Sequence, residues 1–96
     1  MDRIIEEKCK EVQKYRFSEP QTAYDICLEI LQHGTEKEID YEIAYARMYM
    51  GDTLLSLGRL REAVDNMLIA EKLMKQNGFD ELLVNCYNIT AVIYMV

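Results

Sequence analysis

The side chains that most often perform chemistry in proteins are few and scattered in this sequence. It contains one histidine, His33, and three cysteines without CxxC spacing. Zinc sites need His and Cys at close spacings, and acid–base catalysis needs groups that converge on one point. The adjacent carboxylates of Glu6-Glu7 and of Asp80-Glu81 diverge if they lie on helices. The sequence therefore predicts no catalytic residue, no metal site, no cofactor and no enzymatic activity.

The histidine and the cysteines have simpler explanations. His33 precedes Gly34 at the predicted end of a helix, where a positive charge complements the helix dipole, so we expect a capping role. The cysteines lie among apolar neighbours at helical spacing, as is typical of free, buried thiols in a reducing compartment. They are Cys9, Cys27 and Cys86. Because the opening DRIIEEKCKE also interrupts any secretory signal, we expect a cytoplasmic location.

The net charge and the short apolar tracts argue against nucleic-acid and membrane partners. The net charge of −6 and the pI of about 4.7 disfavour nucleic acid, which is bound by clustered Lys and Arg. The basic residues of the run KCKEVQKYR alternate with acids, which is typical of a solvated helix face. The apolar tract ITAVIYMV is too short to cross a bilayer, so we expect no membrane partner.

The chain is predicted to be all-α. Half of its 96 residues are apolar, and it contains only one proline and four glycines, which favours long helices over short strands. Helical periodicity and turn signals predict five helices and no strand. Their approximate ranges are 2–15, 19–33, 41–57, 60–76 and 81–96.

Helix ends are predicted from local signals. The run Ser18–Gln21 has the spacing of a capping box, with proline in the first turn. Gly34 is expected to end the second helix, and Asp40 and Asp80 are expected to cap the two helices that follow them. Gly58 suits the left-handed position after a helix. The pair Asn77-Gly78 marks the next break.

The sequence matches itself at a shift of 40 residues. Ala23 falls on Ala63, Leu28 on Leu68, and Gly51 on Ala91. Small residues fall on small residues and apolar on apolar, which predicts a repeat protein with about two and a half units in one domain.

Small residues at seven-residue spacing predict close helix contacts. In an antiparallel hairpin that turns at Gly58, Gly51 and Ala63 would face each other. Ala70 would face the next helix near Ala91. A glycine inside a helix costs about 1 kcal/mol relative to alanine, so close packing is its expected compensation.

The same residues resemble the tetratricopeptide repeat, whose pattern runs W-x2-L-G-x2-Y…A-x3-F…P. Arg47 replaces the usual Trp and Lys75 the usual Pro. Gly58 and Ala70 also stand where the family favours small residues. The residues that match the motif itself are Met50-Gly51, Leu54, Ala63 and Met67. The resemblance implies antiparallel hairpins stacked into a short right-handed α-solenoid that binds proteins or peptides.

The period of 40 residues exceeds the family's standard 34. It resembles the extended repeats of bacterial signalling proteins, which include peptide-responsive regulators and helical segments ahead of diguanylate cyclases. An N-terminal regulatory or sensory module of such a protein is therefore an alternative to a scaffold that binds separate partners.

The resemblance also implies a concave groove lined by the first helix of each pair. Tyrosine, methionine and asparagine suit peptide recognition, although the apolar members could instead pack between repeats. The groove would lack the lysines and arginine of a carboxylate clamp. The residues expected to line it are Tyr45, Met48, Tyr49, Asp52, Ser56, Asn85, Asn88 and Ile89.

The final tract AVIYMV lies in an apolar helix with no predicted partner after it. A solenoid usually closes with a polar-faced helix, because its last unit otherwise exposes a core face. We therefore expect an N-terminal part of a longer protein, and a homodimer or other packing through the fifth helix.

Overall fold

The computed structural model describes residues 2–95, and the side chains of residues 2–92. Within that range every regular element is an α-helix, which confirms the all-α fold class. No helix among these residues is both long and apolar enough to cross a membrane. The five helices are α1 (Arg3–Tyr15), α2 (Pro20–Lys37), α3 (Asp40–Ser56), α4 (Leu60–Asn77) and α5 (Asp80–Met95).

The predicted ends of α3 and α4 and the start of α4 are confirmed, whereas the capping residues predicted for α2, α3 and α5 are wrong by one position. Gly58 and Gly78 follow these helices with φ angles of 77° and 68°, a conformation that glycine adopts without a Cβ penalty. At the starts, α2 has Glu19 as its N-cap without a side-chain hydrogen bond, so the box at Ser18 does not form. Asp40 and Asp80 are the first residues of their helices, where their charge still complements the helix dipole.

Burial repeats with the same period as the sequence. The helices α2 and α4 both contain 18 residues. Their buried positions coincide after a shift of 40 residues, so both helices occupy equivalent environments. The buried pairs are Ala23 and Ala63, Ile26 and Asn66, Cys27 and Met67, Ile30 and Ala70, and Gly34 and Met74.

Side-chain contacts give the relative directions of the helices. The Arg47 guanidinium donates to the Asn66 side chain at 3.0 Å, and Gly51 lies against Ala63, so α3 and α4 run antiparallel. Tyr45 of α3 bonds to the Cys9 carbonyl near the middle of α1. The Arg16–Asp52 ion pair lies seven residues further on from both Cys9 and Tyr45, so α1 and α3 run parallel.

The fifth helix continues this row. The Tyr41 ring at the start of α3 packs edge-on against Phe79, just before α5, with 5.2 Å between ring centroids. Further along both helices, Tyr49 and Asn85 line one cavity. The helices α1, α3 and α5 therefore lie side by side in one direction, while the handedness of the stack stays a prediction.

Gly51 lies where α3 packs tightly against α4. A Cβ built on Gly51 would lie 2.5 Å from the Met67 sulfur and 3.1 Å from the Ala63 carbonyl oxygen. Ala70 is fully buried. Ala91, which was expected beside Ala70, is exposed instead, because the position equivalent to Gly51 on α5 faces away from α4.

Gly34 does not end α2 as predicted. The helix continues to Lys37, and Glu38 takes the left-handed position after it with φ of 56°. Gly34 is buried because the start of α3 packs on it: an added Cβ would lie 2.9 Å from the Glu42 Cβ and 3.2 Å from the Ile43 amide nitrogen. This glycine allows close packing rather than a turn.

His33 does not cap the helix dipole either. Its Nδ1 lies 2.6 Å from the Glu42 Oε1, and the Glu42 side chain is only 1% exposed. A buried polar group needs a hydrogen-bond partner, so the His33 ring satisfies the Glu42 carboxyl group inside the α2–α3 contact. The residues 40 positions later are Leu73 and Leu82, so the second unit fills these positions with apolar side chains.

The close contacts at the two buried glycines predict that alanine at either position destabilises the fold. Alanine favours a helix by about 1 kcal/mol over glycine, whereas overpacking costs about 1–3 kcal/mol. At Gly34 the nearest atoms include a Cβ and a backbone nitrogen, which cannot rotate away, so we expect Gly34→Ala to lower the free energy of unfolding by about 1–2 kcal/mol. Gly51→Ala should destabilise the fold as well, because a Cβ there would lie 2.5 Å from the Met67 sulfur and Met67 is too buried to move aside freely. Urea unfolding measures both, and a neutral or stabilising Gly34→Ala would contradict the packing described.

Because His33 and Glu42 form one buried pair, we expect the stability effects of substituting them to be strongly non-additive. His33→Leu leaves the Glu42 carboxylate buried without a partner and should destabilise the fold by about 3–5 kcal/mol. Glu42→Leu should cost less, because the remaining imidazole is partly exposed and can bond to water. The double variant has leucine at both positions, as the second unit has at Leu73 and Leu82. Its stability should be close to that of the wild type or higher. Additive losses in urea unfolding of the three variants would contradict this interpretation.

Candidate functional site

Two adjoining cavities form a groove where the end of α1 meets α3 and α5. The first has a volume of about 190 Å³ and the second about 320 Å³. They share Arg16, Asn88 and Ile89, so we treat them as one groove. The remaining lining residues are Tyr49 and Asn85 in the first cavity, and Phe17, Asp52, Leu55, Ser56 and Val92 in the second.

Most of the residues expected in a groove do line it, and two do not. Met48 is fully buried. The Tyr45 hydroxyl donates to the Cys9 carbonyl at 3.2 Å and accepts from the Gln13 amide at 3.0 Å, so it ties α3 to α1. These two side chains pack between helices, which was the alternative for apolar members. The expected residues that line the groove are Tyr49, Asp52, Ser56, Asn85, Asn88 and Ile89.

Arg16 is the one charged residue among the four groove residues that sequence reasoning missed, and the other three are Phe17, Leu55 and Val92. Its guanidinium carbon lies 4.4 Å from the centre of the Phe17 ring and 5.0 Å from that of Tyr49. Its Nε lies 2.9 Å from the Asp52 Oδ2. In the sequence Arg16 belongs to a mixed-charge run, and only the parallel alignment of α1 with α3 brings it to Asp52.

The Arg16–Asp52 pair is a buried ion pair rather than a well-directed hydrogen bond. Neither the Nε nor the Oδ2 makes a hydrogen bond of good geometry, although they lie in contact. Burial raises the pKa of the Asp52 carboxyl, and the neighbouring Arg16 charge opposes that rise. Because the two opposite charges offset each other, the net charge at the centre of the groove is close to zero.

The groove has the chemistry of a binding site. Its carboxylate is paired, and no group of three His, Cys, Asp or Glu side chains within the described residues could hold a metal ion. The amides of Asn85 and Asn88 are exposed and can both donate and accept hydrogen bonds. Phe17 presents an aromatic ring that is 77% exposed. Exposed amides beside aromatic and apolar surface suit an extended peptide better than a reacting substrate.

A third cavity, near the starts of α1 and α3, is larger but chemically less suited to a ligand. It has a volume of about 500 Å³ and is lined by Asp2, Ile39, Tyr41 and Glu42. The Asp2 carboxylate accepts the Ile4 amide at 2.8 Å, and Glu42 is paired with His33. Both carboxylates are therefore already engaged within the protein.

The ion pair predicts how Asp52 titrates. Arg16→Met removes the positive charge that opposes the effect of burial, so the Asp52 pKa should rise further, as measured by carboxyl-carbon NMR. Between the ordinary and the raised pKa, the folded state binds more protons than the unfolded state, so Asp52 makes the protein less stable as pH rises through that window. This slope should steepen in Arg16→Met. The matched control is Arg61→Met, an exposed arginine on α4, and equal Asp52 pKa values in the two variants would contradict the pairing.

Comparisons of the chain with protein-family models, with curated proteins and with solved structures find no match. The likeness to the tetratricopeptide repeat therefore rests on the motif residues and the repeated burial of α2 and α4. Membership of that family stays a prediction.

Proposed function

We propose that the protein is a non-catalytic scaffold that binds an extended segment of a protein or peptide in the groove between α1, α3 and α5. The observation that carries this proposal is the convergence of three helices on one groove with exposed amides and aromatic surface. Its paired carboxylate leaves no free acid or base of the kind that a catalytic site requires.

The two cavities offer different contacts to such a ligand. The smaller one combines Asn85 and Asn88 with the Tyr49 ring, so it can bond to a peptide backbone. The larger one adds Phe17, Leu55 and Val92, so it can accept an apolar side chain. Because α3 and α5 hold most of these residues on regular helices, little ordering is needed on binding, which favours affinity.

The charges in the groove limit the kinds of ligand that it can bind. Arg16 is engaged by Asp52, so the groove lacks a free cluster of positive charge. A ligand that depends on several acidic groups would therefore find no adequate counter-charges there. We propose a ligand recognised through its backbone and apolar side chains.

A regulatory module of a bacterial signalling protein, such as a diguanylate cyclase or a peptide-responsive regulator, is the second candidate. The observation that favours it is the 40-residue period, which the matched burial of α2 and α4 shows in three dimensions. In that case the groove ligand would be a segment of the same protein. We propose a cytoplasmic location for either function, supported by the free thiols of Cys9, Cys27 and Cys86.

The proposal is tested by selecting random linear peptides on the wild-type protein and measuring the affinity of the selected peptides for groove variants. Asn88→Ala removes an exposed amide that lines both cavities, and we expect it to weaken binding about tenfold, as expected for lost hydrogen bonds in a binding site. Tyr49 and Ile89 resonances should shift when the peptide is added.

The matched control is Gln76→Ala, which removes an exposed amide near the end of α4, away from the groove. Peptides that bind both variants like the wild type, or selections that yield no peptide sensitive to Asn88, would contradict the proposed function.

A further inference from the structure

The connection between α4 and α5 contains an asparagine–glycine pair that takes no part in the groove. Asn77 is the last residue of α4, and Gly78 follows it in the left-handed conformation with φ of 68°. Both residues are exposed. A Cβ built on Gly78 would meet no atom within 4 Å, so the space around this peptide bond is open to solvent.

An asparagine that precedes a glycine has a covalent reaction of its own. Once the glycine backbone nitrogen has lost its proton to water or hydroxide, it attacks the carbonyl carbon of the asparagine side chain. A carbon–nitrogen bond forms, the side-chain nitrogen leaves as ammonia, and a cyclic succinimide results. Water then opens the ring at either carbonyl, which gives aspartate or isoaspartate. Glycine favours the attack because no side chain shields its nitrogen and its backbone is the least restricted.

The structure holds both reacting groups in hydrogen bonds. The Asn77 Nδ2 donates to the Leu73 carbonyl at 2.9 Å, so the carboxamide is turned back along α4. The Gly78 N–H donates to the Met74 carbonyl, and the Phe79 N–H reaches the same oxygen at 2.9 Å. While these bonds persist, the Gly78 nitrogen keeps its proton and stays away from the Asn77 side chain. The attack therefore requires the last turn of α4 to open.

One aromatic contact helps to keep this turn closed. The Phe79 ring packs edge-on against Tyr41, with 5.2 Å between ring centroids. Phe79 is partly buried, whereas residues 75–78 before it are all exposed. Exposed helix ends with few buried contacts open at a lower free energy than the core. The cap hydrogen bonds and the Phe79–Tyr41 contact therefore set how often the turn opens.

The other asparagines provide an internal comparison. Asn66, Asn85 and Asn88 lie inside helices, and each precedes a residue with a side chain larger than that of glycine. The backbone nitrogen that follows each of them is protected by the helical hydrogen-bond pattern. The same reaction at these positions would require the interior of a helix to open.

We propose that Asn77 is a site of spontaneous deamidation, gated by the opening of the last turn of α4, and that its products loosen the junction between α4 and α5. An aspartate side chain accepts but does not donate, so it loses the bond to the Leu73 carbonyl. Its charge also lies at a helix C-terminus, which itself carries partial negative charge. Isoaspartate lengthens the main chain by one carbon atom and so displaces the cap bonds to Met74. This proposal does not depend on what the groove binds.

The test is incubation of the folded protein at mildly alkaline pH beside a sample unfolded in guanidinium chloride. Trypsin cleaves after Lys75, and no lysine or arginine follows in the sequence, so one peptide carries Asn77, Asn85 and Asn88. Tandem mass spectrometry locates the change from amide to acid. We expect it at Asn77 before the other two. The rate should be about tenfold higher in the unfolded sample, which corresponds to about 1.4 kcal/mol of local opening.

Matched variants test the gate and the effect of the product. Phe79→Ala removes the contact with Tyr41, so deamidation of the folded protein should become severalfold faster. The control is Leu28→Ala, which truncates an exposed side chain on α2 and should leave the rate unchanged. Asn77→Asp reproduces one product, whereas Asn77→Gln keeps an amide. Amide hydrogen exchange at the start of α5 should be severalfold faster in Asn77→Asp than in Asn77→Gln.

Three results would overturn the proposal. The first is a folded protein in which Asn77 is not modified, or is modified no faster than the asparagines inside α5. The second is an equal rate in the folded and unfolded samples, or in the wild type and Phe79→Ala, because the turn would then not act as a gate. The third is equal hydrogen exchange in the two Asn77 variants, which would mean that the product does not loosen the junction.

Discussion

The structure depends on how closely consecutive helices approach each other. At Gly34 the start of α3 packs so near α2 that an added Cβ would lie 2.9 Å from that of Glu42, and at Gly51 the same happens between α3 and α4. Such contacts bring backbones close and let larger side chains interlock around them. Because each helix is fixed against the next, α1, α3 and α5 lie parallel in one row, and the groove forms where they converge.

The two units reach this packing with different side chains. In the first unit a buried carboxylate, Glu42, is satisfied by His33, whereas the second unit has leucines at the equivalent positions. The helix packing that both units share therefore depends more on how closely the backbones approach and on the total side-chain volume between them than on one particular set of side-chain contacts. Where α1 meets α3, the Arg16–Asp52 pair adds a second polar contact, and it places an arginine stacked on two aromatic rings in the groove.

Much of the fold follows from the sequence, because helix periodicity and the 40-residue repeat are local or simple patterns. The ends at Gly58 and Gly78 were predictable since they need a left-handed glycine. Gly34 misled the prediction because a buried glycine and a terminating glycine look alike in sequence. Arg16 could not be found in this way, because its partners are distant in sequence and only the alignment of α1 with α3 brings it into the groove. The residues expected there on α3 and α5 came from the resemblance to the repeat family.

The most direct test of this account is whether Tyr49 joins α1 and α5 in solution. Nuclear Overhauser contacts from its ring protons would show which side chains surround it. The account predicts contacts to Arg16 of α1 and to Ile89 of α5 in the same spectrum. Contacts to neither residue, with Tyr49 surrounded only by residues of α3 and α4, would contradict the parallel row of helices and the groove that depends on it.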